Sequence, residues 1–269
     1  MLPETFSDLT VFLAQAVPGA RSGNMFHPPD NVEANIEIIL RWIHILAGIV
    51  WIGHLYFFNL VNVNLMKVLD GPTKGKVIPQ LMPRALWWFR WGALATVLFG
   101  IIYFIQLLHR EPDTWPNFFK WLVIVLVVYA VIFGLLRPVS GALNNGWILS
   151  VIVGVLVIVL SVAVLALMGN DPGLTRDGVS QYMSNRSLSI GIGGGLGVIM
   201  MLNVWGIIWP HQKRIIAWTA DNAEKGTAIP AESAKLARRA FLASRMNTWL
   251  SIPMLFFMAS ASHYPLFGR

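Results

Sequence analysis

The chain has 269 residues, of which 56% are hydrophobic and only 12% charged. A soluble domain carries about 25% charged residues, so most of this surface is built to face lipid. There is no cysteine, which excludes disulfides, iron–sulfur clusters, zinc-thiolate sites and covalent c-type haem attachment.

Residues 1–34 read as an exposed or interfacial arm, with a short helix around the run Val11-Phe-Leu-Ala and stops at Pro18-Gly19 and Pro28-Pro29. Its acidic start (Glu4, Asp8) lacks the basic region of a signal peptide. Residues 35–269 read as an all-α, polytopic membrane helix bundle. Six apolar stretches reach the roughly 20 residues needed to cross a bilayer. They lie near 38–63, 86–108, 118–137, 147–169, 187–209 and 243–262, the last interrupted by Arg245, Asn247 and Pro253. Segment 210–242 reads as a polar connection containing one helix, from Ala231 to Arg239.

With alternating spans, one side collects Lys67, Lys74, Lys76, Arg84, Arg90, Arg137, Lys213, Arg214, Lys225, Lys235, Arg238, Arg239 and Arg245. The other side holds both termini and mostly acids, among them Glu33, Glu37, Glu111, Asp113, Asp171 and Asp177. The positive-inside rule makes the basic side, with segment 210–242, cytoplasmic and puts the N- and C-termini outside, in a bacterial inner membrane. The net charge of +7 is therefore topogenic, and nucleic acid is not an expected partner.

Two of the six histidines fall inside the first span, where an ionisable side chain is costly and marks a functional site by default. Neutral imidazole is also a common ligand of metals and haem iron. His44 lies near the outer end of the span. His54 is about 15 Å deeper at 1.5 Å per residue, and points to another side of the helix. The two therefore cannot share one haem. The natural partner for His44 is His263, at the outer end of the sixth span, with His109 in reserve. Ala47, Gly48 and Trp51 follow His44 at i+3, i+4 and i+7, and the small pair would let a flat macrocycle approach. His54 has only Met200, Met201 or Asn203 at matching depth and reads as a second haem or a proton/quinone site. His27, His109 and His211 read as surface residues.

Gly191-Ile-Gly-Gly-Gly-Leu-Gly197 opens a membrane helix with no strand before it, so it fails the context of a dinucleotide fingerprint. Its four-residue glycine spacings read first as close helix packing and second as a surface for a cofactor. Trp87, Trp88 and Trp91 read as an interfacial aromatic belt. Asn59, Asn62 and Asn64 either line a polar cavity or mark the exit from the bilayer. There is no Ser-His-Asp set, no H-E-x-x-H and no intramembrane carboxylate pair.

Two blocks carry a family likeness. The first is Arg41-Trp-Ile-His44 through Trp51-Ile-Gly53 with Leu86-Trp-Trp-Phe-Arg-Trp91. The second runs Gly197-Val-Ile-Met-Met-Leu-Asn203 through Pro210-His-Gln-Lys213, then Arg245-Met-Asn247 to Pro253, and ends in Ser262-His263-Tyr264-Pro265. Both resemble the membrane domain of bacterial membrane-bound urate oxidase (urate hydroxylase). The first also resembles copper-resistance D-type and protoporphyrinogen-oxidase-like membrane proteins, in which the histidine motif accompanies haem or copper. The resemblance implies an oxidoreductase membrane domain that passes electrons to a c-type cytochrome, with His44, Asn203, Asn247 and His263 as shared polar positions. The family usually adds a C-terminal cytochrome c domain, and this chain has no cysteine to hold one.

The expected function is an integral-membrane redox subunit that holds haem b near the outer leaflet. Membrane lipids, a separate c-type cytochrome and other membrane subunits are its expected partners. Two alternatives stand beside it: a urate- or purine-oxidising enzyme with a pocket lined by Asn and Arg, and a non-redox copper-handling or structural subunit. For copper, Met66, Met82, Met200 and Met201 would matter more than His263.

Overall fold

A computed structural model of the chain describes residues 30–137, 141–169, 175–176, 179–180 and 183–267. The expected helix near 11–14, His27, Asp171 and Asp177 lie outside them. Six long helices follow one another: α1 (Val32–Val68), α2 (Gly71–Leu108), α3 (Thr114–Leu136), α4 (Gly146–Gly169), α5 (Asn185–Lys225) and α6 (Glu232–His263). Between α4 and α5, a two-residue strand Thr175–Arg176 pairs antiparallel with Val179–Ser180. Helices α1 to α5 are long and apolar enough to cross a membrane. The sixth expected span falls on α6, which is not among these five; its first half carries Lys235, Arg238, Arg239 and Arg245. This is an all-α, multi-pass membrane protein.

The chain divides into two units, Met1–Ile39 and Leu40–Arg269. In the first, the Asn31 side chain accepts from the Glu33 amide at 2.9 Å and opens the helix. The second unit contains all that follows.

The ends of the helices are written in the sequence. Asp70 caps α2 by accepting from the Thr73 amide at 2.8 Å, and hydrogen bonds from Thr73, its side chain first, hold the Asp70 carboxyl below the usual carboxylate range. Asn145 caps α4 through the Trp147 amide. Ser184 caps α5, and the Glu111 carboxylate accepts from the hydroxyls of Ser184 and Ser187, placing a negative charge where the helix dipole favours one. Gly226, in the left-handed region at φ +69°, stops α5.

Helix α5 is the axis of the bundle, with 67% of its most apolar window buried against 28% for α4. Its glycine face explains this. A methyl group added at Gly193 would stand 3.2 Å from the Met254 carbonyl of α6, and one at Gly195 would stand 3.0 Å from Val125 of α3. Trp121 of α3 is buried and donates its indole N–H to the Gly191 carbonyl at 2.7 Å. Deeper along the same interface, Asn203 donates to Asn247 at 2.8 Å and Asn247 donates to the Met200 carbonyl at 2.9 Å. Both asparagines are fully buried.

Three π-turns interrupt the rods, at Phe57–Asn62, Leu165–Gly169 and Val204–Ile208. Asn59, in the first, donates to the Leu55 carbonyl and to Ser244 of α6. Just before the third, the Leu202 carbonyl accepts from Tyr129 of α3. Such turns free carbonyls, and polar side chains meet them here.

The rods outrun the bilayer. With 38 and 41 residues, α2 and α5 are about 57 and about 62 Å long, against a hydrocarbon core of about 30 Å. Segment 210–242, expected as a polar connection with one helix, consists of the end of α5 and the start of α6 joined through 226–231. Arg214 and Glu232 link the two at 2.5 Å. On α2, Gly75 packs so closely on Ala223 that a methyl there would approach it to 3.1 Å.

Candidate functional site

Toward the end of the bundle where α2 finishes and α5 begins, the helices leave a cavity of about 500 Å³. Helices α1, α2, α5 and α6 wall it, and Trp121 of α3 contributes to the lining. Almost all of the lining is apolar: Ile49, Trp51, Ile52, Val97, Phe104, Ile190, Val198, Met254 and Met258 among others. The polar exceptions are few. His44 and Thr96 are on the wall, and Arg41, Tyr103, Arg186 and Ser262 also face the cavity.

His44 is held by α2. Its Nδ1 lies 2.8 Å from the Thr96 carbonyl, which can only accept, so Nδ1 carries the proton. A neutral ring bonded this way keeps its lone pair on Nε2, the arrangement that orients a histidine for metal ligation. Gly100, one turn beyond Thr96, makes the contact possible: a methyl there would stand 2.9 Å from both His44 Nδ1 and Cε1. Thr96 turns its own hydroxyl to the Gly92 carbonyl at 2.7 Å.

The glycines around the cavity divide into two kinds. Gly100 is required by a neighbour closer than 3.4 Å, the His44 ring. Gly48 and Gly197 are not. A methyl at Gly48 would meet only Thr96 Cγ2 at an ordinary 3.7 Å, and one at Gly197 would meet nothing within 4 Å. Glycine in a helix costs about 1 kcal/mol relative to alanine. Both residues line the cavity, so what they provide is its width.

At the polar end, Arg41 Nη2 donates to the Tyr103 hydroxyl at 2.7 Å, and Arg186 Nη2 donates to the same oxygen. Both guanidiniums also lie over the Tyr103 ring, at 5.0 and 5.6 Å from its centroid. Arg186 Nε is buried with no hydrogen-bond partner among the described residues.

The cavity thus gathers two of the residues expected from sequence, His44 and Gly48. His263 is exposed at the last residue of α6 and does not line the cavity, although Ala261 and Ser262 do. Its backbone is fastened in place, because Asn185 donates to the carbonyls of Ala261 and Tyr264 and accepts from the amides of Leu266 and Phe267. His54 faces a separate open groove beside Val50, Phe57, Leu81 and Ala85, and its Nδ1 donates to the Val50 carbonyl at 2.7 Å. Among the described residues no cluster of three His, Cys, Asp or Glu could hold a metal ion by itself.

Sequence reasoning missed Tyr103, Arg186, Thr96, Gly100, Met254 and Met258. A Thr and a Gly in a membrane span carry no signal of their own. Asn203 and Asn247, shared positions in the family likeness, are joined by a hydrogen bond in the core and do not line the cavity.

A family described as urate oxidase N-terminal matches residues 31–268. The chain belongs to that family. The match takes in every helix described above and every residue of the cavity. No curated protein and no solved structure matches the chain.

Proposed function

We propose that this member of the urate oxidase N-terminal family is a redox subunit that carries haem b in the cavity beside His44. The observation that carries the reading is the His44–Thr96 contact. It leaves Nε2 basic and uncommitted, on the wall of an apolar cavity that glycines keep wide. Haem bound there would supply a one-electron carrier.

The chain's own residues then have defined tasks. Thr96 fixes the tautomer and ring orientation of His44. Gly48 and Gly197 admit a flat ring. Trp51, Phe104 and Trp121 keep water from it. Helix α6 offers the second ligand position, where Met258 lines the cavity and His263 ends the helix.

The apolar lining favours this reading over direct urate oxidation. A purine presents hydrogen-bonding groups on all its edges, and a cavity with polar groups at one end and one histidine leaves most of them unpaired, at a cost of about 1–3 kcal/mol each. The family's link to urate oxidation would then run through electron transfer, to a c-type cytochrome on the outer side of a bacterial inner membrane. The acids expected on that side would steer a basic cytochrome.

The test is a stopped-flow experiment in which the dithionite-reduced protein, freed of excess reductant, is mixed with oxidised soluble c-type cytochrome. The proposal expects reduction of the cytochrome in step with oxidation of the protein's haem, slowing as salt is raised. No transfer from protein that contains reduced haem would overturn the relay.

A further inference from the structure

We infer that Arg238 and Arg245 of α6 form a binding site for an anionic phospholipid, at the corner where α3 finishes and α4 begins. Neither residue lines the cavity, and the site does not depend on the haem reading. Charge leads to it first. Arg238 and Arg245 stand seven residues apart on one face of α6, over the ring of Phe241 at 5.2 and 5.9 Å from its centroid. The next residue, Arg239, donates to the carbonyl of Arg137 at the end of α3. From Thr114 to Gly169 and from Ser233 to Phe267 the sequence contains no Asp or Glu. Helices α3 and α4, and α6 beyond its first residue, therefore bring no acid to this corner. Glu232, the one acid of α6, pairs with Arg214. Like charges gathered at the edge of an apolar medium repel one another strongly. A phosphate offsets them, and the planar guanidinium fork fits it in paired hydrogen bonds.

Depth narrows the occupant to a lipid. Arg245 Nη2 lies 3.7 Å from where a methyl on Gly146 would stand. Gly146 is the first residue of α4, whose 24 residues reach about 36 Å. The hydrocarbon core is about 30 Å thick, so this end of α4, and Arg245 beside it, lies at the level of the headgroups. Exposed apolar side chains continue from there along both helices: Trp147 and Val151 on α4, Trp249, Ile252 and Phe256 on α6. They offer a surface to acyl chains. Helix α6 runs alongside α4 in the same direction, because Met254 of α6 meets Gly193, two residues from Gly191, which lies against Val164 of α4. Arg238 therefore stands about 10 Å further toward water. This gives the site its choice among lipids. A phosphate on Arg245 directs the rest of the headgroup toward Arg238, which repels an ethanolamine or choline cation and tolerates an uncharged glycerol.

The test uses the purified full-length chain in detergent. It is titrated with dioleoyl phosphatidylglycerol and, separately, with dioleoyl phosphatidylethanolamine; native mass spectrometry reads the first bound lipid. One basic residue at a membrane surface is worth about five-fold in affinity for an anionic lipid. Phosphatidylglycerol should therefore bind about five-fold tighter or more. Arg238→Gln should pull that ratio toward one without weakening phosphatidylethanolamine. Arg245→Gln should weaken both lipids, and Arg245→Lys should weaken them less. Lys213→Gln, which removes an exposed charge from α5, should change neither. Thermal melting shows which variants are folded, and Arg238→Gln decides the matter alone if the Arg245 variants are not. Equal affinities in the unmodified protein, or a ratio that survives Arg238→Gln, would overturn the site. So would undiminished binding in a folded Arg245→Gln protein, or a ratio lowered as much by Lys213→Gln, which would trace the preference to net charge.

Discussion

The Nδ1 of His44 donates to the Thr96 carbonyl at 2.8 Å, across a gap that exists only because residue 100 is glycine. This contact joins α1 to α2 and at the same time decides which imidazole nitrogen is free. Gly100→Ala should push the ring off its carbonyl. Overpacking of this kind costs about 1–3 kcal/mol, and the haem signal should weaken further than the stability loss explains. Thermal unfolding together with haem content per chain measures both; full haem occupancy in a folded Gly100→Ala protein would separate the ligand from this contact.

Gly197 gives the opposite expectation. With nothing within 4 Å of its missing methyl, Gly197→Ala should stabilise the haem-free protein by up to about 1 kcal/mol. Gly197→Phe should fill the cavity and abolish haem uptake without unfolding the bundle. Denaturation midpoints of the stripped proteins, set beside their porphyrin titrations, test the pair of statements.

The second ligand position on α6 is open to direct comparison. If Met258 completes the coordination, Met258→Ala changes the ferric near-infrared spectrum and lowers the reduction potential, while His263→Ala leaves both alone. If His263 does so, the pattern reverses. A protein indifferent to both substitutions would place the second ligand outside α6.

The asparagine pair should matter to stability and not to the site. Asn247→Ala leaves the Asn203 amide without its partner in the core and removes one of the two donors to the Met200 carbonyl. The cost of an unsatisfied buried group is about 1–3 kcal/mol, although hydrogen bonds between membrane helices average only about 0.6 kcal/mol. Joint replacement of both by leucine should cost less than the single change. Haem absorbance per folded chain should be unchanged in each case, and its loss would bring the pair into the site.

The bundle was legible because hydropathy and charge act over whole segments. Twenty apolar residues can satisfy their backbone in lipid only as a helix, and the glycine spacing at 191–197 reports close packing wherever the partner helix lies. The same averaging hides what lies past the bilayer. Residues 210–242 are polar, so hydropathy alone marks them as a connection, and only their packing shows that α5 and α6 continue through them. At the site, His44 stood out because a titratable group in hydrocarbon is costly, and Gly48 followed from its spacing. Tyr103 and Arg186 are 83 residues apart in sequence and meet at one hydroxyl, which no local pattern encodes. His263 illustrates the converse. Its depth could be read from the sequence, but whether its ring enters the cavity depends on the last turn of α6 and on the bonds from Asn185 that hold it.

The central claim is that His44 holds haem in the cavity it lines. The most direct measurement is a dithionite-reduced minus oxidised spectrum, with pyridine-haemochrome quantification, on the purified protein and its His44→Ala variant prepared side by side. The account predicts a b-type α-band at close to one haem per chain in the unmodified protein and its loss in a folded His44→Ala variant. A featureless spectrum from well-folded unmodified protein, or an undiminished band in the variant, would contradict it.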